Sequence, residues 1–182
     1  MDKRTEIRLA GEGGQGMILA GIILAEAAAI YGGKQVTQTQ SYGPESRGGA
    51  SRSEVVISDG EIDHPEVLSP DVVVALSQEA YNKFGGTVRA GGLLIVDGER
   101  VKTSADFTGI KIPVMHIAEE STGKAITANT VALGVLVGLT GVVTREAIAS
   151  AVAARAPKGT AEINRKALEA GFAAAEQVKA GA

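Results

Sequence analysis

The sequence predicts an α/β fold: a mostly parallel sheet with helices on both faces, ending in a helical C-terminal segment. Three observations carry this reading. Short β-branched runs alternate with longer helix-like segments, the pattern that builds strand–helix–strand units. The run VVVAL, Val72 to Leu76, is apolar at every position, as in a strand covered on both faces. The last third, from Thr144 to about Lys179, is Ala-rich and reads as helix throughout, broken at Pro157-Lys158-Gly159.

The elements follow in order. Glu6 to Ala10 reads as a first strand that runs into the glycines of GEGGQG, Gly11 to Gly16. Met17 to Tyr31 reads as a helix that is apolar on nearly every side, which predicts burial rather than a half-exposed surface helix. Gly32-Gly33 ends it. Gln35 to Gln40 has the β-branched residues of a second strand, and Ser41 to Ser51 is a Gly-, Ser- and Pro-containing loop. Glu54 to Ser58 (EVVIS) is the third strand and Val72 to Leu76 the fourth. Ser77 is placed to cap the helix that follows, with Glu79 in its first turn. Leu93 to Val96 and Pro113 to Ile117 supply two more strands, and Thr127 to Leu139 a second apolar helix. No repeat, low-complexity tract or linker divides the chain, so residues 1–182 are expected to form one domain.

Composition narrows the function. At 182 residues with 45% hydrophobic and 21% charged residues, the chain has an ordinary globular balance. A net charge of −3 and 3% aromatics give no electrostatic or stacking case for nucleic acid or an anionic membrane. There is no cysteine, which excludes disulfides, thiol nucleophiles and thiolate ligation of iron–sulfur clusters by this chain. The N-terminus lacks the apolar stretch of a signal peptide, and Met17 to Ala25 is too short to span a bilayer before Glu26 interrupts it. A cytoplasmic location is expected.

Gly11-Glu12-Gly13-Gly14-Gln15-Gly16 matches G-x-G-x-x-G, between a strand and a helix where that motif has a mechanism. Glycine allows the tight turn and lets a ligand approach the backbone, while the free N–H groups at the helix start suit a phosphate or carboxylate. Two nucleotide readings lack their partner residues. A phosphate-binding P-loop needs Gly-Lys-Ser/Thr, but Met17-Ile18 follow Gly16. A dinucleotide site needs an acid about 20 residues beyond the loop, and Thr37-Gln38-Thr39-Gln40 has none. The loop serves either close strand–helix packing alone or an anionic ligand or partner as well.

The second loop, Tyr42-Gly43-Pro44-Glu45-Ser46-Arg47-Gly48-Gly49, follows the second strand and is expected beside the first at the ligand crevice. It carries an aromatic, a carboxylate and an arginine. Arg47 suits phosphate or carboxylate, or else pairs with Glu45 in a solvated turn.

The two loops together, with VVIS, DGEIDHPEVLSPDVVVALSQEAYNKF, Asn129 in the later apolar helix and KGTAEINRKALEAG, resemble the gamma subunit of the 2-oxoacid:ferredoxin oxidoreductases over most of the chain. The resemblance implies a Rossmann-like three-layer α/β unit of a cytoplasmic, heteromeric complex with alpha, beta and, in some members, delta chains. It implies an enzyme that turns a 2-oxoacid plus coenzyme A into acyl-CoA and CO2, with ferredoxin as electron acceptor. Thiamine diphosphate, Mg and [4Fe-4S] clusters then belong to partner chains, and 2-oxoglutarate is the favoured oxoacid over pyruvate or a branched-chain oxoacid. On this chain the candidate cofactor-binding residues are Gly11, Gly13, Gly14, Gln15, Gly16, Tyr42, Glu45, Arg47, Gly48 and Gly49, with coenzyme A as the co-substrate they face. No catalytic or metal-binding residue is assigned here.

Other reactive side chains form no known constellation. His64 precedes Pro65 in a turn and His116 lies in the expected last strand; neither has zinc-site or nucleophile-elbow spacing. Asp59, Glu61 and Asp63 lack an EF-hand's order and read as a solvated turn. Asn129 either satisfies its neighbours internally or faces the crevice. The rival readings are a free-standing NAD(P)- or nucleotide-binding protein and a purely structural assembly subunit.

Overall fold

The computed structural model describes residues 3–42 and 49–182. Its described residues form one six-stranded sheet ordered β2-β3-β1-β4-β5-β6, from β1 (Arg4–Gly11), β2 (Gln35–Ser41), β3 (Ser51–Ser58), β4 (Val72–Ala75), β5 (Leu93–Asp97) and β6 (Ile110–Ile112). β1, β4, β5 and β6 pair in parallel. β3 is antiparallel to both its neighbours, so β2 runs with β1 and β3 alone is reversed. The mostly parallel sheet expected from the sequence is present; the reversed β3, antiparallel to both β1 and β2, is its one departure.

The helices are α1 (Met17–Glu26), α2 (Gln78–Phe84), α3 (Val114–Thr122), α4 (Ala128–Thr140), α5 (Arg145–Arg155) and α6 (Ala161–Ala180). Alternation along β1 and β3 decides the layers. Ile7, Leu9, Val55 and Ile57 meet the large core shared by α1, α3, α4, α5 and α6. Ala10, Val73, Ala75 and Val96 face the smaller cluster under α2, built around Ala80 and Phe84. The result is three layers with unequal covers.

Two expectations are corrected. Pro113 to Ile117 is not a strand: β6 ends at Ile112 and Val114 opens α3. A short apolar run is ambiguous between the two states. Here Pro113 stands at the helix start, where its missing N–H costs nothing, and the buried Asp97 carboxylate accepts from the Met115 N–H at 2.9 Å. Burying Val114 and Ala118, four apart, needs a helix. His116 therefore sits exposed on α3, 3.9 Å from Glu99. Second, the apolar segment after the glycine loop is not buried all round. It continues from α1 as a π-helical turn, Ala27–Tyr31, and leaves Leu19, Ile30 and Tyr31 exposed. The Arg155 guanidinium on α5 grips Glu26 at the end of α1 and holds its carboxyl below the usual carboxylate range.

The Ala- and Gly-rich composition of the C-terminal third has a packing cause. α4 is buried from Ala128 to Gly138. Gly134 and Gly138 on α4 lie against Gly171 and Ala175 on α6, each pair four residues apart and so on one helix face. A Cβ on Gly134 would come within 2.9 Å of the Gly171 Cα, and one on Gly138 within 2.6 Å of the Ala175 Cβ. The segment thus belongs to the same core as the sheet. Gly171→Leu is expected to force the helices apart at a cost of about 1–3 kcal/mol. By the scaling for domains of this size, that lowers the melting temperature by about 2–12 °C. An unchanged melt would show that α6 does not dock here.

Candidate functional site: two loops at the switch point

The chain leaves β1 toward β2 on one side of the sheet and later enters β4 on the other. The carboxyl ends of β1 and β4 therefore flank the switch point, where ligands of α/β sheets gather. The glycine loop spans this point. Gln15, buried, ties it down: its Oε1 accepts from the Glu12 N–H at 2.7 Å, and its Nε2 donates to the Leu76 carbonyl, at the end of β4, at 3.2 Å. Its backbone N–H closes the turn on the Glu12 carbonyl at 3.2 Å.

The four glycines divide by physical role. Gly16 has φ +72°, and an added Cβ would meet the Asn129 Nδ2 at 2.8 Å. A Cβ on Gly11 would meet the Gln15 Oε1 at 2.5 Å. Gly14 needs its φ of +91° but has nothing within 4 Å of a Cβ position. Gly13 has neither constraint among the described residues: its φ is not positive and the space is open. Gly13 and Gly14 are exposed, and among the described residues no side chain caps α1, which leaves the N–H groups of its first turn without a partner there.

The second loop is rooted beside the first. Ser51 pairs with Gly11 and Ser41 with Arg52 across the ladder, and the Ser51 hydroxyl donates to the Gly11 carbonyl at 3.2 Å. The two ends of the second loop thus stand beside the first, on antiparallel strands rather than on two parallel ones. Tyr42 is exposed, Gly49 half-buried, and the Ala50 N–H donates to Glu79 at the start of α2 at 3.2 Å. Ser77 caps α2 as the sequence predicts, accepting from the Ala80 N–H at 3.1 Å. Glu45, Arg47 and Gly48 lie outside the described residues.

Below the loops, two buried charges lock the ladder. Arg8 and Glu54 are register partners, with Nη2 2.6 Å from Oε1, and both are nine-tenths buried. Arg8 also donates to Thr87 Oγ1 at 2.7 Å and lies over the Phe84 ring. Sequence reasoning missed this pair because alternation alone does not say that a charged position on a strand faces a covered layer. It also missed Asp97, fully buried at the end of β5, whose oxygens accept from the N–H groups of Glu99, Arg100 and Met115. The turn-forming Asp-Gly after an apolar run was its available signal.

The remaining sequence candidates are scattered. His64 is exposed in the crossover to β4 and offers only its carbonyl, to Arg4 at 2.8 Å. Asp59 pairs with Lys34, whose ammonium holds its carboxyl below the usual range. Among the described residues no group of three His, Asp or Glu could hold a metal ion, and no helix is long and apolar enough to cross a membrane. Iron–sulfur clusters do not fit this chain, which has no cysteine. Among the described residues a dinucleotide has no ribose-holding acid either: β3 separates the end of β2 from Gly11, and that end is Gln40-Ser41.

Fold and site together define a class: a three-layer α/β unit that presents backbone donors at its switch point, beside the roots of the β2–β3 hairpin. The chain belongs to the pyruvate ferredoxin/flavodoxin oxidoreductase family, whose model matches residues 6–174, and within it to the gamma-subunit type. It is 50% identical over 179 residues to the 2-oxoglutarate synthase subunit KorC of Methanocaldococcus jannaschii, covering 96% of each chain. The keto/oxoacid ferredoxin oxidoreductase gamma subunit of Geobacter sulfurreducens superposes with a TM-score of 0.87 at 48% identity, covering 96% of this chain and 98% of that one. The 2-oxoglutarate:ferredoxin oxidoreductase of Magnetococcus marinus, solved with 2-oxoglutarate, coenzyme A and succinyl-CoA, matches with a TM-score of 0.85 at 26% identity. There the match covers 96% of this chain but 31% of the other, so the unit corresponds to part of a longer polypeptide. The resemblance read from the two loops is borne out.

Proposed function

We propose that this chain is the gamma subunit of a cytoplasmic 2-oxoglutarate:ferredoxin oxidoreductase and that its two loops face the coenzyme A side of the assembled enzyme. The observation that carries the oxoacid is the near-full-length 50% identity to a 2-oxoglutarate synthase subunit. The coenzyme A side is supported by the first-turn N–H groups of α1, which lack partners among the described residues, and by the open Gly13, at a switch point where backbone donors suit a phosphate without a lysine. The Magnetococcus enzyme, in which a similar unit is part of a longer chain, was solved with coenzyme A.

In this reading 2-oxoglutarate and coenzyme A become succinyl-CoA and CO2, and two electrons leave to ferredoxin. Thiamine diphosphate with Mg and the [4Fe-4S] clusters sit on the alpha, beta and, where present, delta chains; they supply the decarboxylation and the electron path. This chain contributes binding and orientation. Gly11, Gly16 and Gln15 fix the loop, Gly13 and Gly14 admit the ligand, and Tyr42 and Gly49 flank it; Glu45, Arg47 and Gly48 are assigned to the same ligand from the sequence motif alone. The exposed Leu19, Ile30 and Tyr31 suit burial against a partner chain.

The test is reconstitution. The purified chain is expected to oxidise no 2-oxoacid in a dye-linked assay and to carry no iron or thiamine diphosphate by metal analysis and extraction. Adding the partner chains restores coenzyme A-dependent oxidation with 2-oxoglutarate preferred. Turnover by the chain alone, or a preference for pyruvate in the assembled enzyme, would overturn the corresponding part of the proposal.

A further inference from the structure

Asn129 belongs to neither loop; it stands in the first turn of α4, yet its side chain ends at the glycine turn. It is 7% exposed. Its Oδ1 accepts from the Thr130 N–H at 2.9 Å and lies 3.4 Å from the Thr130 hydroxyl. A backbone N–H can only donate, so this contact fixes which end of the carboxamide is oxygen and turns Nδ2 the other way. Nδ2 lies 2.8 Å from where a Gly16 Cβ would be, and among the described residues it has no acceptor. No side-chain nitrogen or oxygen there is both fully enclosed and unpartnered, so Nδ2 keeps an opening. An amide donor at such an opening is completed by solvent until a ligand group takes its place.

Gly16 is also the residue at which α1, ten residues long, starts, its first-turn N–H groups without a partner among the described residues. Nδ2 therefore lies beside the residue from which α1 starts, and like the first-turn N–H groups it can only donate. We propose that the Asn129 carboxamide is part of the anion site at the start of α1 and donates from Nδ2 to a phosphate group of coenzyme A. This rests on the reading that the glycine loop faces coenzyme A. Asn129 is then a specificity-determining residue for the co-substrate, contributed by a helix that carries no part of the glycine motif.

Asn129→Asp separates this role from a structural one. The carboxylate keeps an acceptor for the Thr130 N–H, and a negative charge in the first turn of α4 favours the helix. It replaces the Nδ2 donor by a charge that repels phosphate. In the assembled enzyme the variant is expected to raise KM for coenzyme A roughly 10- to 150-fold, the worth of one hydrogen bond to a charged group. kcat, KM for the oxoacid and the melting temperature stay near the parent's. Gly13→Val, whose Cβ would have nothing within 4 Å among the described residues, serves as the control on the loop and should also raise KM for coenzyme A. If Gly13→Val raises it and Asn129→Asp leaves it within twofold, the proposal for Asn129 falls and the loop reading stands. If both leave it unchanged, the loop reading falls and takes the proposal with it. Should Asn129→Asp not assemble, Asn129→Ala must show the same rise, and an assembled alanine variant with the parent's KM overturns the proposal.

Discussion

Glu54→Gln is expected to lower the melting temperature of the purified chain by about 6–20 °C. The Arg8 guanidinium is held by Glu54 at 2.6 Å between β1 and β3, with Phe84 over it and the crossover carbonyl of Val67 at 3.3 Å. Removing one partner of a buried pair strands the other charge and costs about 3–5 kcal/mol, and a domain of this size loses about 2–4 °C per kcal/mol. Arg52 does not replace what is lost, because it is a second cation, 3.7 Å from the same Glu54 oxygen. The double variant Arg8→Met/Glu54→Leu removes both charges and should recover most of the loss, since an apolar pair of similar volume is tolerated where a lone charge is not. Thermal melts of the two singles and the double make the cycle. A Glu54→Gln melt within 2 °C of the parent, against the several degrees expected for a buried pair, would mean that the pair is open to water.

Gly16→Val carries the second large effect. Two separate costs act at this position. Valine at φ +72° places its Cβ against the following carbonyl, which costs about 1–2 kcal/mol. The same Cβ meets the Asn129 side chain at 2.8–3.1 Å, an overpacking cost of about 1–3 kcal/mol. Together they lower the melting temperature by about 4–20 °C. Circular dichroism melts of Gly16→Val and Gly13→Val read the contrast between a glycine required by the fold and one that the fold does not require. Equal melting temperatures for the two variants would remove the packing role of Gly16.

The sequence by itself determined the order and type of most elements, the buried character of α4, the Ser77 cap and the two glycine loops. These are local facts. Periodicity, β-branched runs and glycine at positive φ act through the chain's own neighbours, within a turn or two. The family resemblance was legible for the same reason: both loops are contiguous motifs.

Three things only the tertiary structure decided. The reversal of β3 follows from its pairing partners, and EVVIS reads the same in either direction. Pro113 to Ile117 became a helix start because Asp97, sixteen residues before Pro113 in the chain, caps it with a buried carboxylate; an apolar run alone carries no sign of that distant acceptor. The site itself is the strongest case. Gly16 needs glycine because of Asn129, and Gln15 is occupied by Leu76, each contact spanning more than sixty residues. Arg8 and Glu54 look like solvated strand charges until α2 closes over them. Burial and hydrogen-bond completion are properties of the assembled layers, and no window of the sequence contains them.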